Sequence, residues 1–243
     1  MTPADFDAYT FDCYGTIIDW ETGILTALRP WAATCALGID DTALLEAFAR
    51  FEPDVEGEHP TMPYPDVLRE VHNRMCDHFG ITECDTDAHS LASSVGHWPA
   101  FDDSREALER LRSLGKKLIV VSNVDHTSFA KSQRTLGFEF DAVVTAQDVR
   151  AYKPDPRMLE AGIHAAHQLG VARGRVMHVA QSLFHDHVPA KKIGMTTCWI
   201  DRRGGEGGGA TRAPAFDITP DFTFESLGRF AEAVAQHSTS SAT

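Results

Sequence analysis

The sequence predicts an α/β fold: a doubly wound parallel sheet, resembling a Rossmann core, with a helical domain inserted near its start. Three observations lead there. Short β-prone runs recur along the chain with helical periods between them, β-prone runs vanish from about residue 20 to 98, and polar clusters follow the ends of successive strands. The first run, 8–12 (AYTFD), ends in the polar turn Cys13-Tyr14-Gly15-Thr16. Four further buried-strand candidates follow at 117–121 (KLIVV), 142–145 (AVVT), 176–180 (VMHVA) and 196–200 (TTCWI). Residues 104–114 place Ala107, Leu108, Leu111 and Leu114 on one helical face, and 156–169 opens on Pro156, a residue suited to a first helical turn.

The break in pattern divides the chain into core (1–19), inserted helical cap (20–98) and core again (99–243). Within the cap the periodicity predicts helices near 23–37, 42–51, 66–79 and 87–95, with Asp40 or Asp41 as an N-cap. The stretch 52–64 contains Pro53, Pro60 and Pro63 and reads as a long loop. By composition 202–214, with its GGEGGG, is a flexible loop, and the tail from Gln236 is expected to fray.

A chain of 243 residues that is 43% hydrophobic can bury one good core and a smaller second one. Net charge is −13 and the Lys and Arg residues are scattered, which argues against nucleic acid as a partner. Any anionic substrate must therefore be held by a local positive site. Five cysteines (Cys13, Cys35, Cys76, Cys84, Cys198), odd in number and without a C-x-x-C pair, suggest reduced thiols and a cytoplasmic location. No apolar run approaches the roughly 20 residues that span a bilayer. The twelve histidines show neither H-E-x-x-H nor a zinc spacing, so no metal is expected of them, and a homodimer is a reasonable assembly for a chain of this size.

In an open parallel sheet ligands bind beyond the carboxyl ends of the strands, and the polar clusters fall there. Asp12 ends the first strand, Ser122-Asn123 the second, Lys153 follows the third, and 181–186 follow the fourth. Any one of these could be a turn; four in register point to a site. Phe11-Asp12-Cys13-Tyr14-Gly15-Thr16, Val121-Ser122-Asn123, Tyr152-Lys153-Pro154-Asp155 and 182–186 together resemble the four successive motifs of the haloacid dehalogenase superfamily.

Most members of that superfamily are phosphatases, whose first motif resembles Asp-x-Asp-Gly-Thr, with the second Asp protonating the leaving group. Here that position is Tyr14, a phenol poorly matched to proton transfer near neutrality. Five residues before Asp186, where a phosphatase offers an acidic magnesium ligand, stands Gln181. The sequence is similar instead to the metal-independent type II 2-haloacid dehalogenases, and this resemblance implies no cofactor and a small anionic substrate, a 2-haloacid. In that reading Asp12 displaces halide and forms an ester that water hydrolyses, Lys153 keeps Asp12 ionised, and Asp186 bonds Lys153 or the water. Ser122, Asn123 and backbone N–H groups at Cys13 and Tyr14 would hold the substrate carboxylate. Arg50 is the candidate halide acceptor or else a solvent-facing arginine; Trp20 and Phe184 are candidates to line the pocket, and His185 to activate the second-step water. A magnesium-dependent phosphatase, or a sister hydrolase of another activated carbon–heteroatom bond, is the alternative.

Overall fold

A computed structural model describes residues 1–35, 38–81, 88–205 and 209–240. Six parallel strands form one sheet: β1 (Ala8–Phe11), β2 (Lys117–Ser122), β3 (Ala142–Thr145), β4 (Val176–Ala180), β5 (Thr196–Ile200) and β6 (Phe222–Phe224), in the spatial order β3-β2-β1-β4-β5-β6. The first five stand where the β-prone runs predict them. The sixth is only three residues long and partly exposed, too short to leave a hydrophobic signature. All four residues of β1 are buried, as expected of a strand covered on both faces. Its neighbours β2 and β4 are distant in sequence, so β1 lies at the point where the strand order reverses and a crevice opens.

After β1 the inserted stretch holds, among the described residues, α1 (Trp20–Thr34), α2 (Asp41–Glu58), α3 (Tyr64–Phe79) and α4 (Ala88–Ser94). They pack on one another through apolar faces, with Trp20 edge-on to Phe48 and Trp31 against His72. Then come α5 (Ser104–Ser113), α6 (His126–Leu136), α7 (Ala146–Val149), α8 (Pro156–Gln168), α9 (Val188–Lys192) and α10 (Leu227–Ser240). Helix α8 covers β1, β2 and β3, while Phe230 of α10 meets Tyr9 of β1 edge-on.

The course of α2 corrects the sequence reading. Asp40 caps it, its Oδ1 accepting from Ala43 N at 2.8 Å, but the helix runs on through Pro53 to Glu58 where a loop was expected. Proline inside a helix removes one N–H and crowds the residue four back. Here that residue is the small Ala49, Pro53 itself is buried, and Arg212 donates to the Arg50 carbonyl one turn before the proline. Packing thus outweighs propensity, and Glu52 and Glu56 come to share a buried helix face with Phe48.

Two smaller expectations also change. The tail is helical to Ser240 because Leu227, Phe230, Ala231 and Val234 bury one face of α10. Cys13, Cys35 and Cys198 are free thiols, but Cys76 is disulfide-bonded, contrary to the reading of five reduced cysteines; Cys84 lies outside the described residues, as do Leu37, Asp87 and positions 206–208 of the glycine-rich run. Among the described residues no helix is long and apolar enough to cross a membrane.

The insert docks through Gly23, where a β-carbon would lie 2.2 Å from the buried Trp98 indole. Replacing a helical glycine by alanine ordinarily stabilises by roughly 0.5–1 kcal/mol. Against a rigid ring at that distance the clash wins, so Gly23→Ala is expected to destabilise the protein by about 1–3 kcal/mol in a denaturant titration. An unchanged or raised midpoint would contradict the close packing of α1 on Trp98.

Candidate active site

Register places the first candidate residue. Phe11 pairs with Val120 and Val179, and the Asp12 N–H donates to Val179 O at 3.1 Å, so the Asp12 carboxylate sits just beyond the centre of the sheet. From the loop after α7, Lys153 reaches it with Nζ 2.6 Å from Asp12 Oδ1. The same ammonium donates to Asp186 Oδ1 at 2.8 Å and Val121 O at 3.2 Å, which uses all three of its N–H bonds. On the other side of Asp12, Thr16 Oγ donates to Oδ2 at 2.7 Å and accepts from the Gln181 N–H at 2.9 Å.

Asp186 belongs to a π-helical turn, Leu183–His187, held by Ser182 Oγ accepting from the His185 N–H. Such turns are frequent at functional sites because they re-aim side chains. The Asp186 Oδ1 atom also accepts from His178 Nε2 at 2.9 Å, and His178 Nδ1 lies 2.9 Å from the Thr10 hydroxyl. A single buried line of contacts therefore joins β1 to β4 through Thr10, His178, Asp186, Lys153, Asp12 and Thr16.

One ammonium between two buried carboxylates leaves a net negative charge, and the two acids share it unequally. Burial, with the Asp186 carboxylate, pushes the Asp12 carboxyl above its ordinary range, opposed by Lys153 and the Thr16 hydroxyl. Burial also works against Asp186, but Lys153 and the His178 hydrogen bond outweigh it and hold that carboxyl well below the usual range. For Lys153, burial lowers and the two carboxylates raise, and the carboxylates win. Lys153 thus limits the rise at Asp12 and does not reverse it.

The other expected residues are placed as follows. Asn123 faces the backbone of Lys153: its Oδ1 accepts from Lys153 N at 2.7 Å and its Nδ2 donates to Lys153 O at 3.1 Å. It aligns the lysine. Ser122 Oγ is buried without a hydrogen-bond partner. Backbone bonds in the first turn run to Cys13 O from Ile17 and Ile18 and from Gly15 N to Ile18 O, leaving the Cys13 and Tyr14 N–H groups without a backbone partner among the described residues. Burial pushes the Cys13 thiol well up, which makes it a packing group. The Tyr14 hydroxyl meets Ser132 Oγ at 2.8 Å while its ring lies edge-on to Trp98, and burial raises its pKa well above the phenolic value.

Three expectations are corrected. Arg50 is exposed on α2 beside Phe51 and does not line the cavity at Asp12, because the helical face that turns inward there carries Glu52 and Glu56. Phe184 is half-buried between the His185 ring and the Arg212 guanidinium, outside that cavity. His185 does line it, but burial pushes its pKa down to about 4, so the ring is neutral at pH 7 and poorly matched to proton abstraction. Trp20 lines the cavity as expected.

The narrow cavity is closed from the cap side by Glu52 and Tyr64, whose hydroxyl donates to Glu52 Oε1 at 3.0 Å. Glu56 accepts from Asn123 Nδ2 through both oxygens, at 3.1 and 3.0 Å. Sequence reading passed over both glutamates because it took 52–64 for a loop. His178 was hidden in an apolar strand, although a histidine inside VMHVA is itself a signal of a buried polar partner.

The family model for haloacid dehalogenase-like hydrolases matches residues 6–183. The chain belongs to the haloacid dehalogenase-like hydrolases. Within that family, (S)-2-haloacid dehalogenase H-109 of Pseudomonas putida is 28% identical over 211 residues, 82% of this chain and 87% of that protein. In three dimensions the chain is similar to L-2-haloacid dehalogenase from Xanthobacter autotrophicus with chloropropionic acid covalently bound, at TM-score 0.76 and 18% identity, covering 95% of this chain and 98% of that one. That likeness shows the shared fold. A HAD phosphatase from Thermococcus onnurineus is similar at TM-score 0.59 and 26% identity over 93% of this chain and 96% of that one.

For this haloacid dehalogenase-like hydrolase, the magnesium of phosphatase relatives fits the residues present poorly. The Tyr14 hydroxyl is turned to Ser132, and Gln181 Oε1 accepts from Thr211 away from the cavity. Because the folded pKa of Asp12 is raised, its ionised carboxylate is present above that value and lost as pH falls through it. The acid limb of a kcat/KM profile is expected above the ordinary aspartate range of about 3.9. A limb at or below that range would contradict a buried Asp12 as the titrating group.

Proposed function

We propose that this hydrolase acts on short 2-haloacids without a metal. The Asp12 carboxylate attacks the halogen-bearing carbon, the C–X electron pair leaves with the halide, and water then opens the aspartyl ester to release a 2-hydroxyacid. The observation that carries this reading is the setting of Asp12: a carboxylate aligned by Lys153 at 2.6 Å and Thr16 at 2.7 Å, with Tyr14, turned to Ser132, at the position where a phosphatase carries its leaving-group acid. A halide departs as an anion and needs none. Phosphoryl transfer to an alkoxide leaving group does need one, and Tyr14 is bonded to Ser132 instead. The Cys13 and Tyr14 N–H groups and Ser122 are the donors proposed for the substrate carboxylate, with Asn123 acting through Lys153.

A second reading is favoured by one observation. Where an arginine was expected to receive halide, the cavity presents the carboxyl of Glu52. A sister hydrolase that opens another activated carbon–heteroatom bond by the same ester route fits that difference, and Asp12 keeps its role in both.

The discriminating assay measures halide released from 2-chloropropionate and phosphate released from a generic phosphomonoester, each with magnesium and with chelator. Halide release that survives chelation and disappears in Asp12→Asn is expected. Magnesium-dependent phosphate release without halide release would overturn the reading.

A further inference from the structure

Opposite Asp12, α2 and the π-helical turn after β4 bring together three groups the proposed reaction does not use. The carboxylates of Glu52 and Glu56 and a ring nitrogen of His185 lie within 4.8 Å of one another, all three residues buried, with His185 Nε2 4.0 Å from Glu56 Oε2. Burial pushes the Glu52 carboxyl up to about 7, and burial together with the Glu52 charge pushes Glu56 well above its ordinary range, as like charges four residues apart on one helix repel. Two atoms of the group, Glu52 Oε2 and His185 Nε2, are buried and have no hydrogen-bond partner. Both residues line the cavity that contains Asp12.

The surroundings hold Glu56 as an acceptor. Asn123 Oδ1 takes the Lys153 N–H, so its orientation is fixed and its Nδ2 can only donate, which it does to both Glu56 oxygens. Tyr64 stands at hydrogen-bond distance from Glu52 Oε1 in the same way. Ser182 Oγ lies 3.2 Å from His185 Nδ1; with the proton on Nδ1, Nε2 offers its lone pair to the cavity. Three acceptors converge with no cation of the chain hydrogen-bonded to them among the described residues: Lys153 is spent on Asp12, Asp186 and Val121, and Arg212, near enough to act on Glu52 and His185 through its charge, is bonded to Asp54 and the Arg50 carbonyl.

We propose that Glu52, Glu56 and His185 form a subsite for a protonated amine, so that the substrate is a short acid carrying an ammonium group besides its leaving group. This rests on the reading of Asp12 as nucleophile. An ammonium has three N–H donors for three acceptors. Acceptors at hydrogen-bond distance around a tetrahedral nitrogen stand roughly 4.6 Å apart, whereas ligands of a tetrahedral first-row metal stand roughly 3.4 Å apart. The 4.0 Å between His185 Nε2 and Glu56 Oε2 lies midway between the two values, so the choice of an amine rests on the match of three donors to three acceptors, and metal binding is a named outcome of the test. Sharing a cavity with Asp12 puts the charge on the molecule that Asp12 attacks, and the carboxylate end would face the Cys13 and Tyr14 N–H groups.

Two unreactive probes test the subsite apart from turnover: β-alanine and propionate, titrated calorimetrically into the whole protein at pH 7.5. β-Alanine is expected to bind about tenfold tighter or more, as charge-assisted hydrogen bonds require, and the preference is expected to collapse in Glu52→Gln and in Glu56→Gln. If Glu56→Gln fails to fold because its tie to Asn123 is lost, Glu52→Gln alone carries the test. Equal affinities, a preference that survives Glu52→Gln, or stoichiometric zinc or manganese binding that Glu52→Gln abolishes would each overturn the proposal. Halide release from 3-amino-2-chloropropionate and 2-chloropropionate then separates the two readings. Release from both without an amine preference removes the subsite and leaves Asp12 as nucleophile. A β-alanine preference lost in Glu52→Gln, with halide released from neither, keeps the subsite and removes the haloacid reaction.

Discussion

The Lys153 ammonium, fixed between Asp12 and Asp186, is the interaction on which the rest of the site depends. Taking three charges out of water costs several kcal/mol per ion, and the loss is recovered only where geometry is close and every donor is used. Each Lys153 N–H has an acceptor, and each end of the arrangement is anchored again, Asp186 by His178 and Asp12 by Thr16. Asn123 holds the lysine backbone from both sides. Three strand ends, β1, β2 and β4, must therefore be in register for one ammonium to be satisfied. Fold and chemistry share that requirement.

Much of this was legible in the sequence, for reasons that can be named. Buried parallel strands read as continuous apolar runs, so β1 to β5 stand out, and the polar residues after them mark the open end of the sheet. The family resemblance followed from the same residues. What stayed hidden depended on tertiary packing. Pro53 signals a helix end, yet α2 continues because Ala49 leaves room and the inward face is buried. With the helix unseen, Glu52 and Glu56 could not be placed, and Arg50 was put forward where the exposed side of the same helix carries it. His178 escaped notice because its partners lie 8 and 168 residues away along the chain.

The cap changes what the core machinery can accept. In the core, burial keeps the Asp12 carboxyl above its ordinary range although Lys153 opposes it, while the same lysine and His178 hold Asp186 well below. From the other side α2 brings two more buried acids. The cavity is lined by acids on both walls, the feature on which the proposed amine subsite rests. The shared core explains likeness to dehalogenases and to a phosphatase at once.

The central claim, that Asp12 is the atom donor and not a spectator, is tested most directly by a single turnover in ¹⁸O-water with enzyme in excess over 2-chloropropionate, followed by mass analysis of the Asp12 peptide and the product. Water that opens an aspartyl ester leaves its oxygen on Asp12, so label is expected in the Asp12 carboxylate while the first-turnover product carries unlabelled oxygen from the enzyme. Label found directly in the first-turnover product, with Asp12 unlabelled, would contradict the account.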